Sequence, residues 1–290
     1  MGRRKRPAVT HGIAVVDKPP GVTSHDVVGM LRERFDERQV GHGGTLDPDA
    51  TGVLVVAVGK ATKLLRFVEA TRKGYVGEIV LGTETNTLDA AGEVTATHDM
   101  AGVTLDDVKS VVAANLVGDI EQIPPMVSAI KVDGRRLHEL AREGIEVERT
   151  PRPVTIDTFD VFAGPEDGVF LIGVECSPGT YVRTLAADLG HLLGGGAHLR
   201  NLRRTRVGNF TLEQAGPPDE CDLLPVGAAV ATLDRVDVND DVAALVANGR
   251  VLDAWEGDGP WALHRPDGEL IAVYERFRAE QAKPAVVVPV

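Results

Sequence analysis

Apolar positions along this chain fall into short continuous runs and helical stripes that alternate without a fixed rhythm. Residues 13–16 form one such run, closed by Asp17-Lys18-Pro19-Pro20-Gly21, which predicts a short buried strand ending in a turn. Thr23 or Ser24 then supplies a cap for a helix with apolar positions Val27, Met30, Leu31 and Phe35. The pattern continues with a strand over 52–58, a helix over 60–69 and a strand over 75–81 that starts at Tyr75. Thr104, with Asp107 three positions on, opens a helix carrying Val108, Val111, Val112 and Leu116 on one face. A strand over 127–131 and a short helix over 136–142, stopped by Gly144, come next.

Residues 154–162 and 169–176 read as paired strands around the turn Gly164-Pro165-Glu166-Asp167-Gly168. A helix from 181 to 193 follows, with Val182, Leu185, Ala186, Leu189 and Leu193 on its buried stripe. Arg183 stands about 100° round the axis from Val182, off that stripe and near the helix N-terminus. This interleaving predicts an α+β fold with a mixed, mainly antiparallel central sheet flanked by helices. The last sixty or so residues change character: after the Pro-rich stretches at 217–219 and 225–227, short apolar runs at 261–263, 270–273 and 285–288 alternate with Gly and Asp turns. That is the pattern of a small C-terminal β domain. The expected organisation is a basic tail over 1–10, a main domain over 11–224 and the small domain over 225–290.

A chain of 290 residues with 43% hydrophobic content is long enough to bury a sizeable core. Two cysteines, Cys176 and Cys221, make no disulfide framework, and no apolar run reaches the roughly 20 residues of a membrane span, so a soluble cytoplasmic protein is expected. The net charge of −12 argues at first against a phosphate-rich partner. Its distribution changes that: residues 207–290 hold 15 acidic and 6 basic residues. The larger remainder contains basic clusters at 3–6, at 131–136 and at Arg200, Arg203, Arg204 and Arg206, the last with no acid among them. Each cluster is either a solvated face or an RNA contact.

The candidate chemistry centres on Gly41-His42-Gly43-Gly44-Thr45-Leu46-Asp47-Pro48-Asp49-Ala50-Thr51-Gly52. Pro48 disfavours the helical region for Asp47, which therefore sits extended on a short stem. Gly43, Gly44 and Gly52 remove side chains around it, leaving room for a bulky partner. The same residues also describe an ordinary surface turn.

Further motifs decide between these. Lys18-Pro19-Pro20-Gly21, Lys73-Gly74-Tyr75, Ser177-Pro178-Gly179-Thr180-Tyr181-Val182-Arg183-Thr184-Leu185 and Leu202-Arg203-Arg204-Thr205 occur in order around the loop. Together they resemble the tRNA pseudouridine synthase B family over residues 12–210. The resemblance implies an isomerase that flips the T-loop uridine at tRNA position 55 and rejoins its uracil through C5. It also implies that the C-terminal domain is PUA-like. Asp47 matches the essential carboxylate, Arg183 the arginine that pairs with it, Tyr75 the tyrosine stacked on the base and Tyr181 a second pocket residue. His42 matches the histidine that fills the gap left by extruded bases, and Leu202 an apolar wall under the base. Lys18 matches the family's Lys-Pro turn, read as structural or phosphate-facing; Lys63, Lys131, Arg203 and Arg204 match or accompany positions that meet the tRNA backbone. The stretch from Gly82 to Gly92 also matches, and is read as scaffold.

Residues 123–152 correspond to the family's mobile RNA-gripping segment, whose presence favours a stand-alone enzyme working without guide RNA. Gly43 replaces the usual threonine or serine, while Val127 and His138 stand where aromatic residues are common. The reaction gains and loses no atom, so no cofactor or metal is expected, and the chain carries no phosphate loop, dinucleotide fingerprint or close His/Cys spacing. The partner expected is the T-stem-loop of tRNA, met by a monomer. Two rivals share these residues: a tRNA-folding chaperone without chemistry, and a nucleosidase. The latter typically wants paired carboxylates, and only Asp49 is close in sequence.

Overall fold

The computed structural model describes residues 9–128, 130–132, 134–145 and 147–288. The basic run at 3–6 and the side chain of Lys131 lie outside what is described. Among the described residues no helix is long and apolar enough to cross a membrane. The chain forms two compact units that do not follow chain order: one from Met1–Pro48, Gly52–Thr71 and Val207–Val290, the other from Asp49–Thr51 and Arg72–Arg206.

In the first unit, β1 (Gly12–Lys18) runs antiparallel to β2 (Thr51–Val58), from Gly12 opposite Val58 to Lys18 opposite Gly52. The short strand Val40–His42 also pairs with β2, and Leu223–Leu224 with β1. Ile13 to Val16 and Val53 to Val58 are all buried, which is why both strands read as unbroken apolar runs. Between β1 and the short strand lies α1 (Ser24–Arg34), capped reciprocally: the Thr23 hydroxyl accepts from the Asp26 N–H and the Asp26 carboxylate from the Thr23 N–H. Val27, Val28 and Leu31 bury its inner face, whereas Met30, expected inside, is exposed. The helix expected over 60–69 begins instead as a 3-10 turn, Gly59–Leu64, and becomes α-helical only over Leu65–Glu69. The Thr62 hydroxyl donates to the Gly59 carbonyl at 2.8 Å, which accompanies the tighter i to i+3 winding.

The second unit is built on β3 (Lys73–Leu81), β4 (Gly118–Gln122), β5 (Arg152–Ala163), β6 (Val169–Cys176) and β7 (Ala197–Val207), ordered β7-β3-β6-β5-β4, with β3, β6, β5 and β4 antiparallel to their neighbours in that run. Helices α2 (Leu105–Asn115) and α3 (Val182–Leu192) belong to the same unit. The strand expected over 127–131 is reduced to Lys131–Val132, paired with Arg135–Arg136. Pro124 and Pro125 supply no ladder donors ahead of it, and the Ser128 N–H turns back onto the Met126 carbonyl.

The C-terminal part contains β8 (Asp234–Asp237), α4 (Asp240–Ala247), β9 (Trp261–His264), β10 (Leu270–Arg278) and β11 (Gln281–Val287). With Leu252–Asp253 these strands form a separate five-stranded sheet, the small β domain anticipated from the turn pattern. The helix α4 was not anticipated; the Asn239 side chain caps it by accepting from Val242 N–H, and Ala243 and Val246 are buried. Ala229, Val230, Leu270, Val273 and Val288 share one core with Ile13, Val15, Val55, Leu64 and Val68. That shared core is why the C-terminal stretch clusters with the N-terminal strands.

Candidate active site

Asp47 sits in the loop that joins Val40–His42 to β2, and both of its neighbours are pinned. The Ser24 hydroxyl accepts from the Leu46 N–H at 2.9 Å and donates to the Leu46 carbonyl at 3.1 Å, with Leu46 itself buried. On the other side the Pro48 carbonyl accepts from the Gly21 N–H at 3.0 Å and from Lys18 Nζ at 2.7 Å. Asp47 is half-buried while Pro48 and Asp49 are exposed. The acid is therefore the presented group of a braced loop, with its position fixed through the backbone on either side.

Lys18 reads from sequence as structural or phosphate-facing, and its surroundings favour the structural role. Its side chain is 0% exposed, and Nζ donates to the carbonyls of Pro19, Val22 and Pro48 at 2.8, 2.7 and 2.7 Å. An ammonium has three donors, and here three carbonyls receive them. Lys18 is thus a clamp on the acid loop, not a phosphate contact. Gly43 likewise serves the core: a Cβ there would lie 3.0 Å from Val68 Cγ1, so the space belongs to packing and not to an approaching partner. Gly44 and Gly52 have φ of 106° and 99°, a backbone that favours glycine. His42 is half-buried opposite Val56, and Lys63 is exposed on the 3-10 turn.

The second unit holds Tyr75, Tyr181, Arg183, Leu202 and Arg203. Arg183 lies in the first turn of α3, off the apolar stripe, and its side chain is nevertheless only 5% exposed. Nη1 donates to the Thr87 carbonyl at 2.8 Å and Nη2 to the Val127 carbonyl at 3.0 Å, while Asp89 Oδ2 is 3.5 Å from Nη1. A buried guanidinium needs such partners, and carbonyls plus one carboxylate supply them. The 82–92 stretch, read from sequence as scaffold, therefore holds the arginine. Leu88 adopts φ of 64°, uncommon for leucine, and its loop is fastened to β7 by Leu199 N–H to Leu88 carbonyl and Ala90 N–H to Leu199 carbonyl. Asp89 was present in the sequence among several acids; nothing in its spacing singled it out.

Tyr181 precedes α3, with its N–H and carbonyl both bonded to the Gln122 amide. Tyr75 is buried on β3 opposite Val174, and Leu202 is half-buried on β7. The arginine cluster of β7 is not the open basic stripe its sequence implied. Arg200 pairs with Glu78 at 2.6 Å and Glu166 at 3.2 Å, and Arg206 pairs with Glu175. Arg204 is 1% exposed, so its side chain is structural and not a surface contact for phosphate. Arg203 remains half-buried, with Nη1 3.3 Å from Thr51 Oγ1. The acids that neutralise this cluster come from neighbouring strands and a turn, distant in sequence.

Comparison with known proteins adds an independent line. Residues 32–182 match the family described as "TruB family pseudouridylate synthase (N terminal domain)". Residues 183–216 match "tRNA pseudouridylate synthase B C-terminal domain" and 233–289 match "tRNA Pseudouridine synthase II, C terminal". Among curated relatives, a tRNA pseudouridine synthase B of Rhodococcus jostii is 47% identical, covering 99% of this chain and 98% of its own. One from Mycolicibacterium paratuberculosis is 48% identical over 96% of each chain. Among solved structures, the chain matched in a Cbf5-Nop10-Gar1 complex superposes with a TM-score of 0.73 at 25% identity, covering 96% of this chain and 85% of that one.

Proposed function

From the premise that this chain belongs to the TruB family of pseudouridylate synthases, we propose that it isomerises the T-loop uridine at tRNA position 55 to pseudouridine. The uridine must leave its stack to reach a side chain. The N1–C1′ bond then breaks, the uracil turns, C5 bonds to C1′, the proton leaves C5, and N1 ends protonated. Every atom is retained, so the protein's task is to hold a charged group at the sugar and the detached base in place.

Asp47 is the carboxylate of this reaction. It acts by attack at C1′, by attack at C6, or by removing a ribose proton, and each route needs it ionised. The observation that carries the reading is the bracing of Asp47 through Ser24 on one side and Lys18 on the other, with the acid itself left half-exposed. Arg183 supplies the guanidinium that steadies this carboxylate during the reaction. Tyr75 stacks on the flipped base and is placed to help deprotonate C5, Tyr181 and Leu202 line its pocket, and His42 takes the space it vacates. Exposed Lys63 and half-buried Arg203 meet the backbone of the T-stem-loop, as does Lys131. The enzyme works alone in the cytoplasm as a monomer, without guide RNA, and residues 123–152 grip the RNA.

The test is to incubate the purified protein with an unmodified tRNA transcript, without cofactors, and map carbodiimide-sensitive primer-extension stops. One stop at the T-loop uridine is expected. Release of free uracil would make the protein a hydrolase. Asp47→Asn should abolish the stop and leave tRNA binding largely intact; a variant that still turns over would remove Asp47 from the chemistry.

A further inference from the structure

Two links to the start of α3 leave from Gln122, one along the chain to Arg183 and one through its side chain to Tyr181. Gln122 ends β4, and Val127, five positions on, offers the carbonyl that accepts from Arg183 Nη2 at 3.0 Å. The side chain of the same Gln122, 2% exposed, reaches the backbone of Tyr181, two residues before Arg183. Its Oε1 accepts from the Tyr181 N–H at 3.0 Å and its Nε2 donates to the Tyr181 carbonyl at 3.2 Å. Tyr181 is the residue before α3, and its own side chain makes no capping hydrogen bond. The Tyr181 carbonyl also accepts from Leu185 N–H at 3.2 Å, so the glutamine amide is built into the first turn of the helix that carries the arginine.

Gln122 also stands opposite Arg152 in the β4–β5 ladder. The two paired residues are the base of the 123–152 excursion. One side chain thus fastens that base to the turn that bears Arg183, and the chain leaving the same residue carries the Val127 carbonyl that Arg183 holds.

We infer that Gln122 is a positioning residue, which sets the Arg183 guanidinium by locking the N-terminus of α3 to the root of the 123–152 segment. This rests on the assignment of Arg183 to the reaction. A misplacement of a supporting group by about an ångström costs rate far more than affinity, because the reacting geometry is set by such shells. A residue that only filled the core would instead lower stability and leave the catalytic step alone.

Gln122→Met removes both hydrogen bonds at nearly constant volume. With saturating enzyme and tRNA transcript, the single-turnover rate of pseudouridine formation should fall about ten- to a hundredfold while the tRNA Kd changes less than about twofold. Added to Arg183→Ala, the same substitution should slow the reaction no further, since both act through one group. An unchanged rate in Gln122→Met, or a slowing that multiplies in full with Arg183→Ala, overturns the inference. If Gln122→Met does not fold, Gln122→Glu keeps an acceptor for the Tyr181 N–H and loses the donor; a smaller loss of rate is then expected, and a wild-type rate refutes the role. Wild-type activity in Arg183→Ala alone would instead show that the reading of the site had failed, separately from Gln122.

Discussion

Lys18 Nζ lies 2.7 Å from the carbonyl oxygen of Pro48, so a fully buried ammonium holds the residue that follows Asp47. The sequence places these residues thirty positions apart; the pairing of β1 with β2 brings Lys18 opposite Gly52 and closes that distance. The clamp predicts that Lys18→Met strands carbonyls of Pro19 and Val22 and loosens the loop. Urea unfolding should show a loss of about 2–4 kcal/mol, from the usual penalty for buried groups left without donors. The slope of tRNA affinity against salt should be unchanged, since no phosphate contact is removed.

Asp89 is the carboxylate beside Arg183, and also accepts from the Thr87 hydroxyl at 2.6 Å and the Ala91 N–H at 3.2 Å. Asp89→Asn keeps the shape and removes the charge. Single-turnover rates should drop about tenfold or more, with tRNA affinity nearly unaltered, as expected when a buried cation loses its counter-charge and settles elsewhere. Stopped or quenched-flow assays on the transcript read this directly.

Arg203 and Arg204 are adjacent and should behave differently. Arg203→Ala should weaken tRNA binding and reduce the salt slope by about one phosphate contact. Arg204→Ala, at a position with 1% exposure, should lower the midpoint of thermal unfolding instead and leave the salt slope as it was. A salt series and a melting curve on both variants separate the two.

Gly43 is buried, and its missing Cβ makes room for Val68 at 3.0 Å. Gly43→Thr should destabilise the protein by about 1–3 kcal/mol, the range for overpacking a filled core. Val68→Ala in the same chain should return part of that loss. Denaturant midpoints for the two single variants and the double variant give the comparison.

Much of the molecule was legible before folding was considered. The unbroken apolar runs of β1 and β2, the Thr23 and Thr104 capping boxes, the 164–168 turn and the stripe of α3 are local signals, each set by neighbours within a few residues. The five-stranded C-terminal sheet followed from its spaced apolar runs for the same reason. Where a local rule competed with tertiary demands, the reading slipped: Pro124 and Pro125 shortened the strand after them, and Met30 turned outward while Val28 went in.

What sequence alone determined at Asp47 was the bias of its backbone away from the helical region, because the residue before Pro48 is constrained by covalent geometry. The fold decided who serves it. Lys18 became a clamp because the fold brought the distant Pro48 carbonyl to it, Arg204 was buried in the sheet, and Arg200 and Arg206 became ion-paired because glutamates distant in the chain came to lie beside them. Asp89 and Gln122 gained their importance in the same way, through the partners that Arg183 and Tyr181 need once buried. A side chain's type is written locally, but its desolvation and its counter-charge are properties of the packed whole, and only the tertiary structure sets them.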